Sequence, residues 1–128
     1  MATSNSFLVL KGHEYMSLTT FRKSGQAVPT PVWFVEVDGK LYVYTSRTSG
    51  KVKRIRNNPA VTVAPCALNG KLLGEAVQAT ARILSPSEEA AAEQALNRKY
   101  GWKKRLLNLT ARLQRHGSNR SYLEISPA

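Results

Sequence analysis

Cysteine is all but absent: Cys66 is the single thiol in 128 residues. One thiol cannot form an internal disulfide framework or a thiolate metal cluster, so a reducing, cytoplasmic setting is the expectation. Cys66 then reads as a small, semi-buried apolar residue. Histidine is almost as scarce, and His13 and His116 are far apart, with no Cys, Asp or Glu at metal-ligand spacing. Acidic residues number 8 against 19 Lys and Arg, and Glu75, Glu88 and Glu89 show no pattern of paired catalytic carboxylates. No serine sits in a nucleophile elbow, which leaves hydrolysis without a case. Enzymatic chemistry in such a chain would belong to a bound cofactor. No apolar run approaches the roughly 20 residues of a membrane span, and MATSNSFLVLKG lacks the basic flank and apolar region of a leader.

What the chain has in excess is positive charge. A net +11 favours polyanionic partners without choosing among nucleic acid, an acidic membrane surface and a phosphorylated or polycarboxylate cofactor. The 42% hydrophobic content and the length suit one compact domain over residues 1–128, with 1–12 as a flexible N-terminal segment. Within that segment the apolar Phe7 to Leu10 suits a helical turn.

The pattern along the chain is mostly β. Tyr15 to Phe21 alternates, and RKSGQAVPT interrupts, with Pro29 and Pro31 keeping the chain extended. Val32 to Val37 is a dense β run ending at Asp38-Gly39, a dipeptide made for a two-residue hairpin, and Lys40 to Thr45 returns. Val61 to Pro65 and the alternating Glu75 to Leu84 are further strands. Ser85, Pro86 and Glu88 then spell an N-cap, a first-turn proline and a capping box. The helix they start should carry Ala92, Ala95, Leu96 and Tyr100 on one face and stop at Gly101. A second, basic helix is predicted from Trp102 to Arg115, and Tyr122 to Ile125 is a closing strand. This order suits a small antiparallel barrel with helices outside it.

The strongest candidate site is TSRTSGKVKRIRNNP, Thr45 to Pro59. Ser49 can cap a helix start, Gly50 allows close approach to the backbone, and the first helical N–H groups would face an anion. Lys51, Lys53, Arg54 and Arg56 add charge, while Val52 and Ile55 form the apolar side. It is not a Walker loop, because Gly50-Lys51 is followed by Val52. Tyr44 and Thr45 could offer an aromatic face and a hydroxyl beside it. A charge run alone is more often a solvated surface helix, so context has to decide. Trp33-Phe34 reads first as core and second as an extended edge for a flat heterocycle. The basic helix from Trp102 reads first as ordinary packing and second as a membrane or nucleic-acid surface.

Taken together, YMSLTTFRKSGQAVPTPVWFVEVDGKLYVYT, SGKVKRIRNNPAVTVAPC, LGEAVQATARIL, RKYGW and YLEI resemble the flavin and deazaflavin oxidoreductases related to pyridoxamine phosphate oxidase, and among them the short branch assigned to coenzyme F420. The resemblance implies a mainly β, six-stranded antiparallel split β-barrel of the FMN-binding type, homodimeric, with cofactor sites at the interface. It implies Ser49, Gly50 and Lys51 at the cofactor phosphate, and Val32, Trp33, Tyr44 and Thr45 along the ring. Arg54, one turn beyond Lys51, is assigned to the oligoglutamate tail. Pyridoxamine phosphate oxidases carry an arginine where this chain has Gly50 and end in an arginine-bearing segment; both are missing, which argues against vitamin B6 oxidation. The implied function is hydride transfer from F420 to a small unsaturated or quinone-like acceptor. The alternatives are an FMN enzyme of the same fold and a non-enzymatic nucleic-acid binder, against which the absence of a recognised motif speaks.

Overall fold

The computed structural model describes residues 7–107 and 120–128. Among these described residues there are seven strands: β1 Tyr15–Phe21, β2 Ala27–Trp33, β3 Val35–Val37, β4 Lys40–Ser46, β5 Ala60–Cys66, β6 Val77–Ile83 and β7 Arg120–Pro127. Helix α1 spans Gly50–Asn57 and α2 spans Glu89–Leu107, with short 3-10 turns at Leu8–Leu10 and Pro86–Glu88. All seven strands belong to one sheet in the order β2-β1-β5-β6-β7-β4-β3, and every pairing is antiparallel.

That order has a geometric consequence. β2 and β3 lie at opposite edges of the sheet, yet Phe34 alone separates them in the chain. The sheet must therefore curl until its edges meet. Phe34 is also why seven strands replace the six expected, since it breaks the Val32–Val37 run. Its side chain turns into the core at 3% exposure, its carbonyl accepts a hydrogen bond from Lys99 Nζ at 2.7 Å, and the same ammonium lies 3.9 Å from its ring centroid. Strand β2 begins earlier than expected and takes in Pro29 and Pro31. Both are tolerated because β2 pairs only with β1, and a proline in an edge strand breaks no interior ladder.

Local signals formed as read. Asp38 (φ 53°) and Gly39 (φ 81°) make the tight turn between β3 and β4. The N–H of Ser85 donates to Glu88 Oε1 at 2.9 Å, completing the capping box ahead of α2. Two other expectations fail. Residues Phe7 and Leu10 are buried in the core, so the segment up to residue 12 is not a loose tail from Phe7 onward. Helix α2 runs through Gly101 to Leu107 instead of ending there, so no separate helix starts at Trp102. A glycine stops a helix only when it turns left-handed and its neighbours find capping bonds; within a helix it costs about 1 kcal/mol. The rest of the basic segment to Arg115, with His116, lies outside the described residues.

Alternation divides the side chains between two clusters. Met16, Leu18, Leu41, Val43, Val61, Val63, Ala79, Ala81, Leu123 and Ile125 fill the inside of the curl, together with Val52 and Ile55 of α1. Outside it, Leu84, Ala92, Leu96 and Tyr122 pack with Trp33, Val35, Tyr42 and Tyr44 beneath α2.

Candidate functional site

The start of α1 is built by short-range hydrogen bonds at the end of β4. Ser49 has extended backbone angles, its N–H donates to Ser46 O at 3.0 Å, and its Oγ accepts from Val52 N at 3.4 Å. That Oγ also stands 3.2 Å from Thr45 Oγ1. Burial of Val52 and Ile55 anchors the helix on the core, which fixes the opposite faces of the turn. The first helical N–H groups, at Gly50 and Lys51, then have no acceptor within the helix.

Two cations crowd this point. Burial pushes the Lys51 ammonium below its ordinary pKa, and the Arg54 charge lowers it further. Arg54 itself folds back towards the barrel: its Nε donates to Thr20 Oγ1 of β1 at 2.6 Å, and Thr20 is fully buried. The guanidinium lies over Gly50, where an added Cβ would stand 2.6 Å from Nη1. A side chain at position 50 would therefore push the guanidinium aside. Lys53 and Arg56 point to solvent.

The remaining sequence candidates fall along the seam where the sheet edges meet. The β3–β4 ladder pairs Val35 with Tyr42 and stops there. Carried past Phe34, its register sets Trp33 level with Tyr44 and Val32 level with Thr45, and β2 packs against β4 without joining it. The four residues therefore share the seam but not a face. Val32 packs with the inner cluster and Thr45 is buried, while Trp33 and Tyr44 pack outside against the α2 cluster. Tyr44 stacks on Tyr122 at a 5.0 Å centroid distance. The chain links the seam to the helix start directly, through the Thr45 and Ser49 hydroxyls.

Two hollows of about 380 and 350 Å³ lie elsewhere, along α2 and β3, and no residue of α1 lines either. The carboxylates of the larger are already engaged. Glu124, 8% exposed, accepts from Tyr42 Oη at 2.9 Å and Arg82 Nε at 2.8 Å, and Arg82 also grips Glu88. Burial pushes Glu124 up, but those hydrogen bonds with the Arg82 and Lys40 charges outweigh it, and the carboxyl titrates below its ordinary value. The two carboxylates of that hollow are thus already paired with Arg82, whereas α1 brings Lys51 and Arg54 together with no carboxylate among the groups that shift Lys51.

Sequence reasoning missed Thr20, since a threonine in an alternating strand looks like ordinary β propensity. Among the described residues no group of three His, Cys, Asp or Glu could hold a metal, and no helix is long and apolar enough to cross a membrane. Cys66 is buried and its thiol is pushed up by burial, so it is not an activated thiolate. What α1 assembles is two cations, the hydroxyls of Thr45 and Ser49 and helix N–H groups, a donor set that suits a phosphate ester.

Comparison with known proteins identifies the family and the fold. The family described as pyridoxamine 5'-phosphate oxidase matches residues 6–128. No curated protein matches the sequence. Among solved structures, the heme storage protein HutZ from Vibrio cholerae is 13% identical, covering 94% of this chain and 86% of its own, with a TM-score of 0.67. An F420 reductase is 18% identical over 95% of this chain and 92% of its own, with a TM-score of 0.60. A FAD-binding protein from Mesorhizobium loti is 16% identical over 100% and 91%, with a TM-score of 0.65. At these identities the likeness is one of fold.

Proposed function

The chain belongs to the pyridoxamine 5'-phosphate oxidase family, and on that premise we propose that it is an oxidoreductase that binds the deazaflavin coenzyme F420. The observation that carries the reading is the meeting of Lys51 and Arg54 at the capped start of α1. Ser49, Gly50 and Lys51 hold the cofactor phosphate, with Arg54 beside them. Val32, Trp33, Tyr44 and Thr45 line the seam along which the ring lies. When bound, the deazaflavin supplies a hydride to a small unsaturated or quinone-like acceptor. The protein's own part is to orient the ring and exclude water.

The active form is a homodimer whose second copy covers the seam. An apolar rim supports this: Leu8, Leu68, Leu72 and Leu73 are each more than half exposed, and the last three lie in the loop after β5. That loop leaves the barrel beside Tyr15, which pairs with both Cys66 and Trp33. A copy seated on the leucines therefore reaches the Trp33 end of the seam.

FMN is the second reading, because the Lys51–Arg54 pair would accept its phosphate equally well. Titrating the purified protein with each cofactor by fluorescence separates the two, and tighter binding of FMN would reject F420. Lys51→Ala is expected to weaken the preferred cofactor about tenfold or more, the loss of one charge-assisted contact of roughly 1.5–3 kcal/mol. Unchanged affinity would remove the phosphate site from α1. A nucleic-acid binder would instead show affinity for oligonucleotides that falls steeply with salt.

A further inference from the structure

Arg54 is pinned by the barrel. Its Nε donates to the buried Thr20 hydroxyl, near the C-terminal end of β1, across 34 residues of sequence. A guanidinium held at Nε has its plane fixed, with Nη1 on the far side of the fork from that contact, and here Nη1 lies over Gly50 at the helix start. Lys51 occupies the same place, with its charge opposed by burial and by Arg54 and with no carboxylate contributing. Like charges at this helical spacing destabilise a helix by a few tenths of a kcal/mol. An oxyanion between them would reverse that sign.

We propose that Thr20 is a positioning residue of the anion site: its hydroxyl holds the Arg54 guanidinium over Gly50, so that Arg54 and Lys51 grip one phosphate group. Arg54 is then a phosphate ligand and not a tail ligand, and the acidic tail of a coenzyme is left to the exposed Lys53 and Arg56. The proposal rests on the preceding functional reading only for what carries the phosphate.

The test uses Thr20→Val, which keeps the shape and removes the hydroxyl, and Thr20→Ser, which keeps the hydroxyl. FMN and coenzyme F420 are titrated by fluorescence, each against its phosphate-free riboside, and inorganic phosphate is followed by its effect on Tm. Thr20→Val is expected to weaken the phosphorylated cofactor at least tenfold, to leave the riboside unchanged and to abolish the phosphate-induced rise in Tm; Thr20→Ser retains all three. Arg54→Lys, which keeps the charge but loses the Nε contact, should reproduce the Thr20→Val loss even where the valine variant folds poorly. Equal weakening of cofactor and riboside, or no weakening in either variant, overturns the proposal. A wild-type protein that binds neither cofactor but gains Tm from phosphate in a Thr20-dependent way would sink the functional reading and leave this inference standing. Tight cofactor binding that ignores Thr20 would do the reverse.

Discussion

Gly50→Ala is the sharpest probe of the α1 site. The added Cβ would stand 2.6 Å from Arg54 Nη1 and 3.4 Å from Arg54 Cζ, where ordinary contacts are about 3.5–4.0 Å. The atom it meets is the far end of a flexible side chain, so the guanidinium moves and the backbone stays. Moving it by roughly an ångström breaks or lengthens the 2.6 Å bond to Thr20, a charged hydrogen bond worth about 1.5–3 kcal/mol. Against this, alanine in a helix gains up to about 1 kcal/mol over glycine. The net cost to folding should be on the order of 1 kcal/mol, read from urea unfolding, and the variant should remain folded. Cofactor affinity should fall about tenfold, or roughly 1.4 kcal/mol, because the second cation no longer meets the phosphate. In an Arg54→Ala background the same Gly50→Ala change should cost nothing further in affinity, since the two act through one contact. Additive losses in that cycle, or full affinity in the single variant, would refute the geometry.

Acid and core truncation supply two further tests. Glu88 is held at a pKa of about 2, chiefly by its hydrogen bond from Arg82 and then by those from Ser85. A depressed carboxylate contributes its stability in full above the unfolded value near 4.3 and loses it as pH falls through about 2. Circular dichroism against pH should therefore show the fold weakening between those values, and Arg82→Ala should move the onset upward; an onset unmoved by that change would mean the bridge is not formed. Phe34→Ala removes a buried ring at the joint between β2 and β3 and should destabilise by about 3–5 kcal/mol in urea. A loss below about 1 kcal/mol would mean the curl does not depend on that joint.

What the sequence made legible was local. The Asp38-Gly39 turn, the Ser85–Glu88 box and the Ser49 cap each join residues no more than three apart, and each formed. The break at Phe34 was not legible, because Val32–Val37 is an uninterrupted β run; what breaks it is a change of partner, Trp33 pairing with Tyr15 of β1 and Val35 with Tyr42 of β4. Gly101 looked like a stop because glycine commonly ends helices, but the residue alone does not decide whether the chain turns left-handed there. Phe7 and Leu10 looked like a tail because their burial depends on a barrel assembled later in the chain. Of the candidate site, α1 was readable from its own residues, whereas the contact that orients Arg54 crosses from one strand to another helix. Family resemblance put Val32, Trp33, Tyr44 and Thr45 along one ring, yet it carried no information about which face each side chain takes.

The same geometry explains why the candidate site and the split in the sheet coincide. Helix α1 continues from β4, one lip of the seam, while Thr20 sits on β1, which carries β2, the other lip, through the Thr20–Val28 pairing. The Arg54–Thr20 bond therefore ties α1, which follows one lip, to β1, the strand that carries the other. Between the lips the β3–β4 ladder has ended at Tyr42, so strand pairing does not hold β2 to β4 above that level. A barrel closed by hydrogen bonds would have no edge for a ring to lie along. One left open would lose register unless something clasped it. Arg54 does the clasping from the helix whose start gathers the charge, so an anion that engages its terminal amino groups loads the clasp as well as the site.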